Sequence, residues 1–369
     1  YYASRGLGDV YKRQFKDSAP AELVDCVGHD DLMVLMFTSG TTGRSKAVML
    51  SERNFFTTVE CQVKFGDAML DYKHEHMPED KNDVLSNFAI LPLFHLGTFI
   101  CLFVWACKGW ALNLSADIRD FYRDLGLMHS DAIAVAPMLM EAIYKDVKRG
   151  RRARLNGIWN PCGSSAMFDG AMLAELAQQG MMITQVYGMT ETCGDGIINY
   201  EQDEKHIRAA GKPDDHAEYK LDETGEICIR GGCVMLGYYK DPEATAEVLD
   251  ADGWFHTGDL ARVDEDGFYY ITGRKKNIII LDNGENVSPE ELENLLSKCE
   301  AVKECIVREK GKKICAVIYC GGADQQAVRD FITETNRTLP LYKRMSAVEF
   351  STEPVSYTHL RAHETRSNL

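Results

Sequence analysis

The segment Thr38-Ser39-Gly40-Thr41-Thr42-Gly43-Arg44-Ser45-Lys46 places hydroxyl groups, two glycines and a lysine directly behind a short apolar run. Glycines let successive backbone N–H groups converge into an anion nest, and hydroxyls donate further hydrogen bonds. Thr38, Ser39, Gly40, Thr41, Thr42 and Gly43 are therefore candidates for a phosphate cradle, with Lys46 as the cation that a polyphosphate needs. The loop is not a Walker A sequence, because GxxxxGK[ST] fits in no register. A polar surface loop is the other reading of the same residues.

A loop of this kind needs a strand to feed it. Asp31 to Phe37 is an apolar run that reads as a buried strand, and residues 84 to 93 read as another. Residues 115 to 126 and 137 to 149 have helical periodicity, the second opening on Pro137. Met172 to Gln179 is a third helix, closed by Gly180. Such alternation predicts an α/β architecture. From about residue 218 the texture changes. Asp264-Glu265-Asp266-Gly267 is a turn between the strands Leu260 to Val263 and Phe268 to Thr272. Asn277 to Leu281 reads as a strand and Asp282-Asn283-Gly284 as a tight turn. Ser288-Pro289-Glu290-Glu291 is a capping box ahead of a helix whose apolar face is Leu292, Leu295 and Leu296. The strand Ile314 to Tyr319 and the helix Gln325 to Thr335 complete a small α+β unit, with the boundary near Gly273.

The composition limits what such a chain can do. It has 369 residues, 45% of them apolar and 26% charged, and a formal charge of −15. A general nucleic-acid binder needs a basic face, so that class is excluded. The twelve cysteines are scattered. No CxxC pair and no Cys/His cluster with zinc spacing occurs, and scattered thiols suit a reducing, cytoplasmic compartment. Phe88 to Cys107 is long enough to span a bilayer, but Pro92, His95 and Gly97 interrupt it. It reads instead as a buried strand, a turn and a buried helix, which leaves peripheral membrane contact open. Residues 1–14 and 355–369 lack apolar periodicity and resemble translated sequencing-adapter read-through. The expected organisation is a non-native tail at 1–14, a partial large domain at 15–273, a partial small domain at 274–354 and a second non-native tail at 355–369.

The phosphate loop resembles the signature of the AMP-forming adenylating enzymes: acyl-CoA synthetases, luciferases and peptide-synthetase adenylation domains. Ser45 and Ala47 depart from the usual proline and glycine of that signature. Three further motifs agree in order. Tyr187-Gly188-Met189-Thr190-Glu191 resembles YGxTE, and Gly253-Trp254-Phe255-His256-Thr257-Gly258-Asp259 resembles GWxxTGD. Gly273-Arg274-Lys275-Lys276 with Gly284-Glu285-Asn286-Val287 resembles GRxK…GExI. The resemblance implies a large N-terminal domain of mixed sheets sandwiched by helices, incomplete here, and a small mobile α+β C-terminal domain. It also implies two half-reactions: a carboxylate attacks the α-phosphate of ATP, and coenzyme A then displaces AMP from the acyl-adenylate.

By the same resemblance, the 38–46 loop and Thr190 hold phosphates, and Glu191 holds Mg²⁺, a hard cation suited to a carboxylate. Tyr187 and Gly188, with Gly163, Ser164 and Ser165, line the adenine. Asp259 chelates the ribose hydroxyls and Arg274 adds a nucleotide contact. Lys276 is the hinge, Gly284 lines the thiol tunnel, and His95 gates the acyl pocket or tunnel. Taken singly, Glu191 also reads as a surface glutamate, Tyr187 and His95 as core residues, and Asp259 as a turn aspartate.

Leu91 to Gly97 resembles the family's acyl-pocket segment, where amino-acid-activating members place an aspartate near Phe94; its absence here implies an uncharged acyl chain or an aryl acid, because a buried unpaired ammonium is costly. The run around Lys276 is most similar to fatty-acyl-CoA synthetases. A carrier-protein loader, an aryl-CoA ligase and an inactive nucleotide-binding fragment are the alternatives. The family's Pro-x-x-x-x-Gly-Lys stretch, which carries its catalytic lysine, has no counterpart after Pro354. The chain as written is therefore expected to lack adenylation activity.

Overall fold

The computed structural model describes residues 28–38, 45–115, 117–164, 168–194, 196–281, 285–311 and 313–355. Its centre is a seven-stranded sheet in the order β4-β3-β5-β6-β7-β8-β9. The strands are β3 (Ser86–Ala89), β4 (Ala111–Leu114), β5 (Ala132–Val135), β6 (Asn160–Ser164), β7 (Thr184–Gly188), β8 (Gly196–Asn199) and β9 (Lys212–Pro213). Pairings from β4 through β7 are parallel, and those of β8 and β9 are antiparallel. Strands such as Ala132-Ile133-Ala134-Val135 are apolar at every position, as a parallel sheet covered on both faces requires.

Helices cover both faces. On one side lie α1 (Glu52–His76) and α2 (Leu96–Cys107), packed through Phe55, Met69, Ile100 and Trp105. On the other lie α3 (Phe121–Leu127), α4 (Pro137–Lys148) and α5 (Gly170–Gln178), packed through Leu125, Met140, Ile143 and Leu173 onto Phe88 and Ile133. Ser51 caps α1 by accepting from the Asn54 N–H at 3.3 Å, while the Asn54 side chain accepts from the Ser51 N–H at 2.8 Å. The Asn54 amide also donates to Gly232 and Val234 carbonyls, which fixes the start of α1 against a distant loop.

A three-stranded sheet flanks the cap: β1 (Leu32–Thr38), β2 (Lys46–Ser51) and β12 (Gly237–Tyr238). β1 is not the buried strand expected from its apolar run. It is an edge strand; within it only Met36 is buried, and Phe37 is 69% exposed. A four-stranded antiparallel sheet follows, ordered β10-β11-β13-β14: β10 (Ala217–Leu221), β11 (Glu226–Gly231), β13 (Phe255–Val263) and β14 (Tyr269–Arg274). Between them in sequence, α6 (Pro242–Ala246) connects β12 to β13.

Residues beyond Arg274 form a smaller unit. A 3₁₀ turn at Lys275–Asn277 shortens the strand expected from Asn277, leaving β15 (Ile279–Ile280) paired with β16 (Asn286–Val287). The antiparallel pair β17 (Glu304–Lys310) and β18 (Lys313–Tyr319) is joined in parallel by β19 (Ala347–Ser351). Helices α7 (Pro289–Leu296) and α8 (Gln325–Thr338) bury Leu292, Leu296, Val328 and Ile332 in its own core. Ser288 caps α7, accepting from the Glu291 N–H, with Pro289 in the first turn. Among the described residues no helix is long and apolar enough to cross a membrane.

Candidate active site

The β1–β2 register pairs Thr38 with Lys46, so the two ends of the 38–46 loop meet. Ser45 closes that gap by donating its hydroxyl to the Thr38 carbonyl at 2.6 Å. Ser39, Gly40, Thr41, Thr42 and Gly43 lie outside the described residues, as do Ser165 and Gly284.

Tyr238 joins Lys46 to Glu191. Its hydroxyl donates to Glu191 Oε1 at 2.8 Å, and the Lys46 ammonium lies 4.5 Å over its ring. Burial and the neighbouring Glu191 charge push the Tyr238 phenol well above its usual range, so it stays a donor. The Met235 N–H donates to the Glu191 carbonyl, and Leu236 and Tyr239 N–H groups bond to β2. The 3₁₀ turn Thr190–Thr192 is closed by the buried Thr192 hydroxyl on Met189, while Thr190 and Glu191 are half-buried and line a cavity.

A second cluster forms where β7 meets the four-stranded sheet. Asp259 is 5% exposed. Its Oδ2 accepts from the Tyr187 hydroxyl at 2.9 Å, and its Oδ1 pairs with Arg274 Nε at 2.5 Å. Burial pushes the Asp259 carboxyl up, while the Arg274 guanidinium and the Tyr187 hydroxyl pull it down. Burial raises the Tyr187 phenol as well. The Thr257 hydroxyl accepts from the Asp259 N–H at 3.0 Å and donates to the Ile227 carbonyl. The adjoining Gly258 N–H is held by Glu226 Oε1 at 2.7 Å, and Lys275 bonds Glu226 Oε2 at 2.6 Å. On the neighbouring β6, Phe168 lies so close over Gly163 that a Cβ there would stand 2.4 Å from the ring.

One cavity of about 990 Å³ connects much of this. Thr38, Lys46, Gly188, Thr190, Glu191, Arg274 and Lys276 line one part. Met69, Cys101, Val104, Trp105, Trp110 and Ile133 line another, and His95 and Leu96 lie along it as well. His95 is not a core histidine: it is exposed at the N-cap of α2. Gly163, Tyr187 and Asp259 do not line this cavity. Sequence reasoning missed Tyr238, Glu226, Lys275 and the Trp105–Trp110 pair, whose rings stand 5.0 Å apart. Tyr238 has no local signal, because its partners are set by β2–β12 pairing.

An oxygen-rich and cationic cluster opening into an apolar chamber can hold a phosphate ester at one end and a hydrocarbon at the other. Residues 5–239 match the AMP-binding enzyme family. The chain belongs to that family. Among related AMP-binding enzymes, the long-chain-fatty-acid–CoA ligase of Salmonella typhimurium is 29% identical over 325 residues, 84% of this chain and 54% of that protein. The feruloyl-CoA synthase of Amycolatopsis sp is 32% identical over 307 residues, 79% of this chain and 58% of that protein. The chain thus spans about half the length of the curated relatives it matches. The fold is similar to that of the O-succinylbenzoate coenzyme A synthetase from Bacillus subtilis in complex with ATP and magnesium ion. The TM-score is 0.72 at 24% identity, over 92% of this chain and 70% of that one.

Proposed function

We propose that this AMP-binding enzyme activates a carboxylic acid with ATP to an acyl-adenylate and passes the acyl group to coenzyme A. The observation that carries the reading is the single cavity running from Lys46, Thr190 and Glu191 to Met69, Trp105 and Trp110. An acyl-adenylate has the same polarity along its length: a phosphate ester joined to an apolar tail.

In this reading Lys46 and the hydroxyls of Thr38 and Thr190 bind the phosphates of ATP. Fixed donors of this kind stabilise the charge that develops at a phosphoryl centre without having to reorganise. Glu191 suits a magnesium ion: it is a hard carboxylate oxygen donor at the cavity wall, and Tyr238 engages only Oε1 in the hydrogen bond described. When bound, the ion would neutralise phosphate charge. The Asp259 carboxylate retains lone pairs for two ribose hydroxyls beside its bonds to Tyr187 and Arg274. Tyr187 would stack on adenine and Gly163, Ser164, Ser165 and Gly188 would border it. Lys276 begins the passage to the small unit and acts as its hinge, with Gly284 along the thiol path and His95 at the mouth of the acyl chamber. The cytoplasm is the proposed compartment.

Met69, Cys101, Val104, Trp105, Trp110 and Ile133 offer an apolar wall, beside polar lining residues such as Gln62, Asn87 and Asn160, which favours an acid with a largely apolar body. A fatty acid is the first choice. An aryl acid is the second, favoured by the paired indoles of Trp105 and Trp110 and by the feruloyl-CoA synthase relative. The test is a pyrophosphate-release screen on the full-length gene product across acetate, medium-chain, long-chain and aryl acids, with and without coenzyme A. Release with a fatty acid and thioester formation only with coenzyme A supports the reading. Release without any acid contradicts it.

A further inference from the structure

Three groups of metal-ligating side chains gather within the described residues: Cys61/Asp214/His216; Asp222/Cys228/His256, whose His256 lines the cavity; and His206/Asp264/Asp266. In the second, the Lys275 ammonium already sits between Asp222 and Glu226, at 3.4 and 2.6 Å. In the third, Lys205 pairs with Asp266, and no thiol is present. A resident ammonium supplies the positive charge that a metal would bring and opposes its entry.

The first group differs. Cys61 is buried on α1, a step of about 100° around the helix from the cavity-lining Gln62. Its thiol lies 2.5 Å from Asp214 Oδ2. Asp214, Asp215 and His216 follow one another in the connection from β9 to β10. His216 Nδ1 stands 3.6 Å from Asp214 Oδ1 and 3.3 Å from Asp215 Oδ1. That nitrogen is fully buried and makes no hydrogen bond, although both carboxylates are near. A buried polar atom left unbonded is costly, and a lone pair facing a thiol and two carboxylates is what a bound cation would use. Lys64 forms an exposed pair with Asp215 at 2.6 Å, and its charge is also felt at Cys61 and Asp214.

We propose that Cys61, Asp214 and His216 bind a zinc ion, with Asp215 or water completing the shell. Thiolate, imidazole and carboxylate are the zinc donor set. Tetrahedral arms of about 2.0–2.3 Å place neighbouring ligand atoms about 3.3–3.8 Å apart. The two His216 distances have that length already, and the Cys61–Asp214 contact must open by about 1 Å to reach it. Binding releases the Cys61 thiol proton to solvent, so affinity rises with pH. The ion would staple α1 to the junction of the seven-stranded and four-stranded sheets. Local zinc spacing is absent because Cys61 and Asp214 lie 153 positions apart; the fold, not the motif, assembles the ligands.

The test uses the full chain, stripped with a chelator and titrated with Zn²⁺ and, separately, Co²⁺. One zinc per chain is expected, as is a thiolate-to-cobalt charge-transfer band. Cys61→Ser should abolish the band, and His216→Ala should weaken zinc binding 100-fold or more. Cys228→Ser should change neither. His216→Cys should keep zinc and intensify the band, which separates ligand loss from misfolding; circular dichroism of each metal-free variant checks the fold. Absence of the band in the unsubstituted chain, its survival in Cys61→Ser, or its loss in Cys228→Ser overturns the proposal.

Discussion

Arg274 and Asp259 are register partners across β14 and β13, and their side chains meet at 2.5 Å, Nε to Oδ1. The carboxylate is almost fully buried while the guanidinium is 42% exposed. One partly solvated cation thus holds a buried charge at the last residue before the small unit begins.

Removing that cation leaves the carboxylate uncompensated. Arg274→Ala should lower unfolding stability by about 1–3 kcal/mol at pH 7, discounted from the fully buried case because Arg274 is partly in water. The loss should shrink in acid. Burial raises the Asp259 pKa in the folded state, so the folded chain takes up a proton more readily and is relatively favoured at low pH. Urea melts at pH 7 and pH 4 measure this; an equal loss at both would show that the pair carries no electrostatic coupling.

Glu191 and Tyr238 separate two contributions at one carboxylate. In the full-length gene product, Glu191→Ala should abolish Mg²⁺-dependent adenylation, a loss of 100-fold or more in pyrophosphate release. Tyr238→Phe keeps the carboxylate and deletes one charge-assisted hydrogen bond, and should cost about tenfold. Comparable losses in both variants would point to positioning rather than metal binding as the role of Glu191.

Gly273 sits at the seam between the two units with φ +156°, and a Cβ there would lie 2.3 Å from Ser288 Oγ at the cap of α7. Gly273→Ala should therefore push α7 away from β14 and destabilise the chain by about 1–3 kcal/mol. Thermal melts give the size, and limited proteolysis between residues 273 and 288 should accelerate.

Asp222 anchors Lys275, next to the proposed hinge. Burial pushes its carboxyl up, but the Thr224 hydroxyl, the Glu226 and Thr224 N–H groups and the Lys275 ammonium outweigh this and hold it at about 2. A depressed folded pKa adds stability that is present above the unfolded value of 3.8 and lost as pH falls toward 2. Asp222→Asn should cost roughly 1–2 kcal/mol at neutral pH and show a shallower stability decline between pH 4 and 2.

Much of this was legible locally. Pro137, Gly180 and Ser288 mark helix ends because caps depend on a few adjacent residues. The turn at Asp264 was legible for the same reason. β17 and β19 were not anticipated: Glu304–Lys310 carries charge at both ends, and β19 is half-buried at every position. The Tyr238–Glu191 bond, the Glu226 bridge from Gly258 to Lys275, and the meeting of Cys61 with His216 join residues far apart in sequence. No periodicity encodes them; strand pairing does. β1 shows the converse, an apolar run whose burial depends on neighbours and not on its own composition.

The most direct test of the account compares binding of AMP with that of a non-hydrolysable fatty-acyl sulfamoyl adenosine by calorimetry on this chain. A single cavity holding both ends predicts that the acyl tail tightens binding at least 100-fold, about 2.7 kcal/mol, and that Val104→Trp removes most of that gain while sparing AMP. Equal affinity for the two ligands, or a gain that Val104→Trp leaves intact, would contradict it.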